Sequence, residues 1–282
     1  MQILFTGLAL YFVFTKIPYQ KVWVNLQNAN VIFLVSALLL FNLSKLNNTL
    51  RMDRFYRTLG LDLPILKHIK LYYVGMFYNL FLPGSISGDG YKIYLLRDQK
   101  TTNTKELFQA TLLDRLNGSS VLTWLACVFL VFSDMAKLYT WLSVLGWLGI
   151  IFIFPIFFLF SNYLFPKFKE IFISTLIYSF AVQLLQVVCA ICILKALSIN
   201  SNHYDYLAFF LIGNAMTIIP ISIGGVGIRE LVMLYGLQFL SINKDEAVAF
   251  TLLFFTVTAI TSLIGLFFTF SMSKELQNIS KN

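Results

Sequence analysis

Apolar segments of unequal length alternate with short polar segments along the whole chain. Runs of about 20 apolar residues are expected to cross a membrane as helices, whereas runs of about 12 are too short to span it. The predicted full spans are Ile3 to Phe14, Ala29 to Leu46, Gly118 to Phe132, Leu138 to Phe160 with a bend at Pro155, Ile171 to Leu194, and Val248 to Phe270. The first is short, but it lacks the basic start and cleavage site of a signal peptide and is interpreted as a retained helix.

Two further apolar runs are shorter and end in glycine-rich loops. Leu71 to Leu82 leads into residues 83–92, and Leu207 to Ile219 leads into residues 220–229. Basic residues flank the first run and its loop on both sides, which predicts that the chain enters and leaves on the same face of the membrane. This pattern indicates re-entrant hairpins, whose irregular backbone must line a cavity or be covered by protein.

The two glycine-rich loops repeat one motif. Residues 83–92 read PGSISGDGYK and residues 220–229 read PISIGGVGIR, so Pro, Ser, Ile and two Gly recur in register and a basic residue ends each copy. Paired Gly and Pro interruptions in corresponding halves point to the binding site of a transporter. We therefore predict one integral membrane domain over residues 1–282, with repeats at about 29–133 and 171–270 whose loops form a single site.

The distribution of basic residues predicts the orientation of the chain. The segment from Asn47 to Lys70 carries five of them and is interpreted as a cytoplasmic loop. With that loop inside, 15 of the 21 Lys and Arg residues are cytoplasmic, five are outside and Arg229 lies in the second hairpin. The prediction is then a cell (inner) membrane protein with both termini cytoplasmic and two hairpins that enter from opposite faces as an inverted repeat.

Composition supports an all-α, polytopic membrane protein. Hydrophobic residues make up 58% of the chain and charged residues 12%, and the mean hydropathy is +0.77, which a soluble domain of 282 residues could not bury. The net charge of +8 would suggest nucleic acid in a soluble protein. Beside membrane spans it instead favours membrane lipids as partners, anionic or phosphate-bearing, and no nucleic acid; the oligomeric state stays open.

The loops have the chemistry of an anion site. A helix that restarts inside the membrane presents free backbone N–H groups and the positive end of its dipole, which suit a phosphate. Ser85 and Ser222 add hydroxyl donors, Lys92 adds charge, and Arg229 adds a planar fork that matches phosphate oxygens. The alternative is that the glycines only permit tight turns and close helix packing.

Several charged and amide residues near the loops extend this site. Arg229 and Glu230 are adjacent, so on a helix they face different directions. Asp114 and Arg115 are either an interfacial anchor or part of the site, and Asn79, like Asn214 before the second loop, is placed to satisfy freed backbone groups. The predicted substrate-binding residues are Asn79, Pro83, Ser85, Gly88, Asp89, Gly90, Lys92, Asp114, Arg115, Pro220, Ser222, Gly224, Gly225, Gly227, Arg229 and Glu230.

No catalytic, metal or cofactor site is predicted. The spacing of Cys189 and Cys192 is that of some metal and redox pairs, but both lie in an apolar segment and are interpreted as packing residues. His68 and His203 stand apart from other ligands in predicted loops and are expected to be solvated.

These motifs resemble the membrane domain of the lysylphosphatidylglycerol synthase and flippase family. The resemblance rests on three motifs, namely NxxxPGSxxGD at residues 79–89 followed by a basic residue, DRxxG at residues 114–118, and PxSxGGxGxxE at residues 220–230. The family usually has Gly-Gly-Asp where this chain has Ser87-Gly88-Asp89, Glu where it has Asp114, and Arg a few residues later where it offers Lys92. The residues given contain no counterpart of the soluble aminoacyl-transferase domain of some members.

The resemblance implies a lipid flippase that moves a phosphate-bearing or polar-headed lipid, phospho- or isoprenoid-linked, between leaflets without synthase chemistry. A second interpretation is a membrane enzyme, or the membrane subunit of one, that acts on a lipid-linked sugar or aminoacyl lipid in envelope synthesis. A third is a scaffold for a partner in envelope synthesis. Opposed hairpins favour the flippase, because an enzyme needs access from one side only.

The predicted orientation can be tested by labelling single cysteines in intact cells with a membrane-impermeant reagent. Cysteines at Lys137 and Lys244 are expected to react, because both positions are predicted to lie outside. Cysteines at Arg54 and Lys100 are expected to react only after the cells are permeabilised. Strong labelling at position 54 in intact cells would refute the inverted-repeat arrangement.

Overall fold

The computed structural model describes residues 19–81, 86–97, 102–217, 227–240 and 242–281. Within these ranges the chain forms helices and no strand, as the sequence predicts. The α-helices are α1 Tyr19–Gln27, α2 Val31–Arg57, α3 Ile65–Phe81, α4 Ser87–Leu96, α5 Thr104–Val131, α6 Asp134–Leu138, α7 Thr140–Leu164, α8 Phe172–Ala196, α9 His203–Met216, α10 Ile228–Gly236 and α11 Lys244–Lys281. A 3-10 helix, Pro166–Ile171, joins α7 to α8.

Four helical segments are long and apolar enough to cross a membrane. They are Val31–Arg57, Thr140–Leu164, Pro166–Ala196 and Lys244–Thr269. A helix satisfies its own backbone hydrogen bonds, which a chain in the hydrocarbon core requires. The protein is therefore a multi-pass helical membrane protein. The first predicted span, Ile3 to Phe14, lies outside the described residues.

Two predicted boundaries are wrong, and both errors concern charged residues. Helix α2 does not end at Leu46 but continues to Arg57, so the first part of the predicted Asn47–Lys70 loop is helical and Arg51 is buried within it. Helix α5 likewise begins at Thr104, and Asp114 is buried inside it and not at the start of a span. A hydropathy pattern predicts that a span ends at its first charged residues. In this structure those residues pair with one another across helices and remain buried.

His68 also differs from its prediction. It is not a solvated loop residue, because it lies in α3, which begins at Ile65, and its side chain is fully buried. Its Nε2 is 3.0 Å from Oδ1 of Asp53. His203 does remain exposed at the start of α9, and its Nε2 is 3.0 Å from the backbone oxygen of Ile199. The Asp53 carboxylate also accepts a hydrogen bond from Arg57, so this group joins the end of α2 to the beginning of α3.

Helix packing is reciprocal between the two halves of the chain. The long helices α2 and α8 pack along each other. Helix α3 packs against α4 and against α11, and its counterpart α9 packs against α10 and against α5. The helices α3 and α9, each of which precedes a glycine-rich loop, therefore pack against a long helix of the other half of the chain.

The apolar core lies between these helices. Phe254 of α11 packs edge-on against Phe210 of α9, with ring centroids 4.5 Å apart, and against Phe41 of α2 at 5.6 Å. Cys189 is buried in the same cluster and Cys192 packs against it, so the cysteine pair has the packing role predicted for it. These edge-to-face aromatic contacts therefore hold α2, α9 and α11 together at Phe254.

Gly88 allows α4 to approach α3 closely. A Cβ at Gly88 would overlap the backbone oxygen of Gly75, and one at Gly265 of α11 would overlap that of Tyr73, also on α3. Small residues bring helix backbones together in this way in membranes. The packing alternative therefore accounts for Gly88, whereas a Cβ at Gly90 would meet no atom within 4 Å.

These two glycines form a matched pair for mutagenesis. Gly88→Ala is expected to lower the melting temperature of the purified protein, because the new methyl group forces α3 and α4 apart. Gly90→Ala is the control, since both substitutions make the same gain of about 1 kcal/mol in helix propensity. Equal melting temperatures for the two variants would show that the α3–α4 contact does not limit stability.

Candidate functional site

A polar cavity of about 280 Å³ lies where the two halves meet. Helices α2, α3, α4 and α5 line it from the first half, and α8, α9, α10 and α11 from the second. Basic side chains outnumber acidic ones by five to two in its lining. The basic residues are Lys45, Arg51, Lys92, Arg115 and Arg229, and the acidic residues are Asp89 and Asp114.

Asp89 is held between two of the cations. Its Oδ1 is 2.6 Å from Nζ of Lys92, one turn further along α4, and its Oδ2 accepts hydrogen bonds from Nε and Nη2 of Arg115, each at 2.7 Å. The side chains of Asp89 and Lys92 are 11% and 6% exposed. Two positive groups on one buried carboxylate leave this cluster with one formal positive charge, and they fix α4 to α5.

A second ion pair joins α2 to α5. Nε of Arg51 donates to Oδ1 of Asp114 at 2.7 Å, and its Nη1 donates to Oγ of Ser179 on α8. Ser179 in turn donates to Oδ1 of Asn117, whose Nδ2 donates to Thr175, so the network crosses three helices. A charge buried among helices is tolerated when its hydrogen-bonding groups are satisfied in this way.

Gly118 makes room for this guanidinium. A Cβ at Gly118 would lie 2.8 Å from Nη1 of Arg51, so a side chain there would require the guanidinium to shift. The DRxxG motif in α5 therefore combines a partner for Arg51 at Asp114, a partner for Asp89 at Arg115 and the space at Gly118.

Arg229 differs from the other cavity arginines because two of its nitrogens have no partner. Nε and Nη1 are buried and make no hydrogen bond to any described residue. Asp89 is already paired with Lys92 and Arg115. An unpaired buried donor is unfavourable by about 1–3 kcal/mol, and more when it is charged, so Arg229 is a candidate ligand-binding residue.

Lys45 adds a further positive charge near Arg229. Its Nζ lies 4.2 Å from the centroid of the Phe41 ring, and its charge interacts unfavourably with those of Arg229 and Arg51. No described acidic residue is within 4 Å of it. Repulsion between these groups would be relieved by an anion in the cavity.

Glu230 and Asn79 organise the starts of the two short helices. Oε2 of Glu230 accepts from the backbone N–H of Gly227 at 2.7 Å, and Gly227 has a φ of 88°, which a side chain would strain. Oδ1 of Asn79 accepts from the backbone N–H of Gly88 at 2.8 Å, as expected for a residue that satisfies freed backbone groups. Glu230 thus faces its own helix start while the adjacent Arg229 lines the cavity, as expected for neighbours on a helix.

The structure brings together only part of the predicted site. Asn79, Asp89, Lys92, Asp114, Arg115 and Arg229 line the cavity. Gly88, Gly90, Gly227 and Glu230 are described but are not among its lining residues. The residues outside the described ranges are Pro83, Ser85, Pro220, Ser222, Gly224 and Gly225.

Sequence reasoning missed several polar residues of the cavity. The signal was available for those that lie inside predicted apolar spans, where polar residues are unfavourable unless they have a function. These are Lys45, Ser119, Gln183, Gln186 and Thr258. The other missed polar residues are Asn48, Arg51 and Thr217. Among the described residues, no group of three His, Cys, Asp or Glu side chains is placed to hold a metal ion.

These features define a multi-pass helical membrane protein with an internal cavity of mainly positive charge. Comparison with known families is consistent with that description. The profile of the family described as lysylphosphatidylglycerol synthase TM region matches residues 1–265, and the chain belongs to this family. A search of curated proteins gives no match. Membership is consistent with a lipid-related role in the membrane.

The ion pair between α2 and α5 gives a prediction about stability. Asp114→Asn is expected to lower the unfolding free energy by about 3–5 kcal/mol, because it leaves the buried guanidinium of Arg51 unpaired. The measurement is the melting temperature in detergent. Asp62→Asn is the control, since the side chain of Asp62 is 76% exposed beside Arg57 and its loss is expected to change little. Equal effects in the two variants would show that the buried ion pair contributes no more to stability than the exposed one.

Proposed function

We propose that this protein is a lipid translocase that moves a phosphate-bearing or polar-headed lipid between leaflets through the cavity. The observation that carries the proposal is the unpaired positive charge there. Two nitrogens of Arg229 make no hydrogen bond to a described residue, and no described acid is within ion-pair distance of Lys45. A phosphate group matches this excess because its oxygens accept charge-assisted hydrogen bonds from several donors at once.

The proposed architecture has six full spans and two re-entrant hairpins that form an inverted repeat. Helices α3 and α4 form the first hairpin, and α9 and α10 form the second. The reciprocal packing of these pairs against α11 and α5 supports equivalence of the two halves. In transporters built from such repeats, the substrate site lies at the repeat interface near the middle of the membrane, and the cavity takes lining residues from both halves.

The proposal places the protein in the cell (inner) membrane with both termini in the cytoplasm. Its partners are membrane lipids, anionic or phosphate-bearing. The translocase makes and breaks no covalent bond, so the chemical structure of the lipid should be the same before and after transport. Mass spectrometry of the lipids after an exchange assay separates this proposal from the alternative of a membrane enzyme, which would yield a modified product.

Arg229 is the residue on which lipid movement should depend most. Arg229→Gln is expected to reduce lipid exchange in proteoliposomes roughly ten- to hundred-fold, which corresponds to loss of about 1.5–3 kcal/mol of charge-assisted hydrogen bonding. Arg229→Lys is expected to lose less, because it keeps the charge without the planar fork. The melting temperature in detergent should not fall, since Nε and Nη1 of Arg229 make no hydrogen bond to a described residue that the substitution would break.

The matched control is Arg54→Gln, which removes an exposed charge from α2 outside the cavity. It is expected to leave exchange unchanged. A large fall in the melting temperature of Arg229→Gln would instead give Arg229 a structural role. Normal exchange by the folded Arg229→Gln variant would contradict phosphate binding by this residue.

A further inference from the structure

Arg115 is the most exposed member of the ion-pair cluster on α4 and α5. Its side chain is 24% exposed, whereas those of Asp89 and Lys92 are 11% and 6% exposed. All three residues line the cavity. The guanidinium of Arg115 therefore lies at the cavity surface, where an anion can contact it without entering the packed interior.

The charges of this cluster divide into a neutral pair and one additional cation. Asp89 and Lys92 lie three residues apart on α4, so their charges cancel within one helix. Arg115 belongs to α5 and shares the same carboxylate. Asp114, the other acid in the described lining, is bonded to Arg51. Asp89 can therefore release Arg115 and still keep a counter-ion.

The ion pair is also a connection between two helices. Helix α4 packs mainly against α3, where Asn79 accepts a hydrogen bond from the backbone N–H of Gly88. From α5, Nε and Nη2 of Arg115 each donate to Oδ2 of Asp89 at 2.7 Å. A Cβ at Gly90 would meet no atom within 4 Å, so α4 is not enclosed there. Separation of Arg115 from Asp89 would loosen α4 from α5 and leave its contact with α3.

A phosphate group would compete with Asp89 for these donors. The planar fork of an arginine bonds carboxylate and phosphate oxygens with the same geometry. A phosphate in the cavity would also be attracted by Lys45 and Arg229, with which Asp89 makes no described ion pair. A mobile anion can thus neutralise more of the cavity's positive charge than a carboxylate that is fixed on α4 and already bonded to Lys92.

We propose that Asp89 is an internal counter-ion that holds Arg115 in the absence of a ligand, and that a phosphate group displaces it and releases α4 from α5. The step breaks hydrogen bonds and no covalent bond. A ligand shifts a conformational equilibrium when it binds one state more tightly, and here the favoured state is the one in which Arg115 has left Asp89. The inference rests on the proposed function for a lipid as the source of the phosphate, since a free phosphate carries the same chemistry.

Competition is tested by titration calorimetry on the purified protein in detergent, with inorganic phosphate and short-chain phosphatidic acid as probes. The double variant Asp89→Asn/Lys92→Gln removes one negative and one positive charge, so the net charge of the cavity does not change. It is expected to bind both probes roughly ten-fold more tightly than the wild type, because Arg115 no longer has to leave a carboxylate. Tighter binding at constant net charge would identify Asp89 as the competitor.

Asp62→Asn is the control, because the side chain of Asp62 is 76% exposed and does not line the cavity. It is expected to bind both probes like the wild type. Weaker or unchanged binding by the folded double variant would overturn the inference, since Asp89 would then help to form the anion site or have no influence on it. Absence of binding of both probes to the wild type would also overturn it.

Release of α4 is measured separately, as the distance between spin labels at Tyr94 of α4 and Phe108 of α5. Both side chains are exposed, and the three cysteines of the chain are replaced by alanine. Saturating phosphate is expected to shift the distances to longer values. Arg115→Gln is expected to show these longer distances without phosphate. This measurement decides the question if the double variant does not fold, and distances that phosphate leaves unchanged would contradict displacement.

A lipid exchange assay separates this inference from the proposed function. Displacement by inorganic phosphate as readily as by phosphatidic acid, without lipid exchange in proteoliposomes, would refute the lipid translocase and keep the role of Asp89. Lipid exchange with unchanged spin-label distances would refute only the role of Asp89.

Discussion

Buried positive charge is the constraint on which the arrangement of these helices depends. A cation enclosed by apolar helices is unfavourable unless a counter-charge and hydrogen-bond acceptors surround it. Among the described residues, Arg51, Lys92 and Arg115 pair with the carboxylates of Asp89 and Asp114. Each carboxylate lies on a different helix from an arginine it pairs with, so neutralising the charge fixes the relative positions of α2, α4 and α5.

Hydrogen bonds from these charged residues also fix the position of α8. Ser179 and Asn117 continue the Arg51 contact to α8, the helix along which α2 packs. Glycines at the contact points allow the helix backbones to approach closely, as Gly88 does against α3. Charge pairing and close packing therefore favour the same arrangement of these helices, and two nitrogens of Arg229 lie in it without a described hydrogen-bond partner.

The sequence predicted the all-helical membrane class and the capping role of Asn79, because both depend on local pattern. It placed Arg51 on the cytoplasmic surface, and the reason is physical. Hydropathy weighs each charge by its neighbours in sequence, whereas the partner of Arg51 is Asp114, 63 positions away. Likewise His68 is buried because it meets Asp53 of the preceding helix. Tertiary pairing reverses the preference of a charged residue for water, and no window of sequence contains that information.

The two repeats share a motif, but their charges have different roles. Lys92 and Arg229 occupy corresponding positions of the motif, yet Asp89 corresponds to Val226. Lys92 consequently has an acid one turn before it and is neutralised within its own helix, while Arg229 has an apolar residue there and no described acidic partner. The basic residue of the first motif thus helps to hold helices together, whereas that of the second makes no ion pair with a described acid and has two nitrogens without a described hydrogen-bond partner. One substitution in the motif, Val226 for Asp89, is therefore enough to give equivalent basic residues different surroundings.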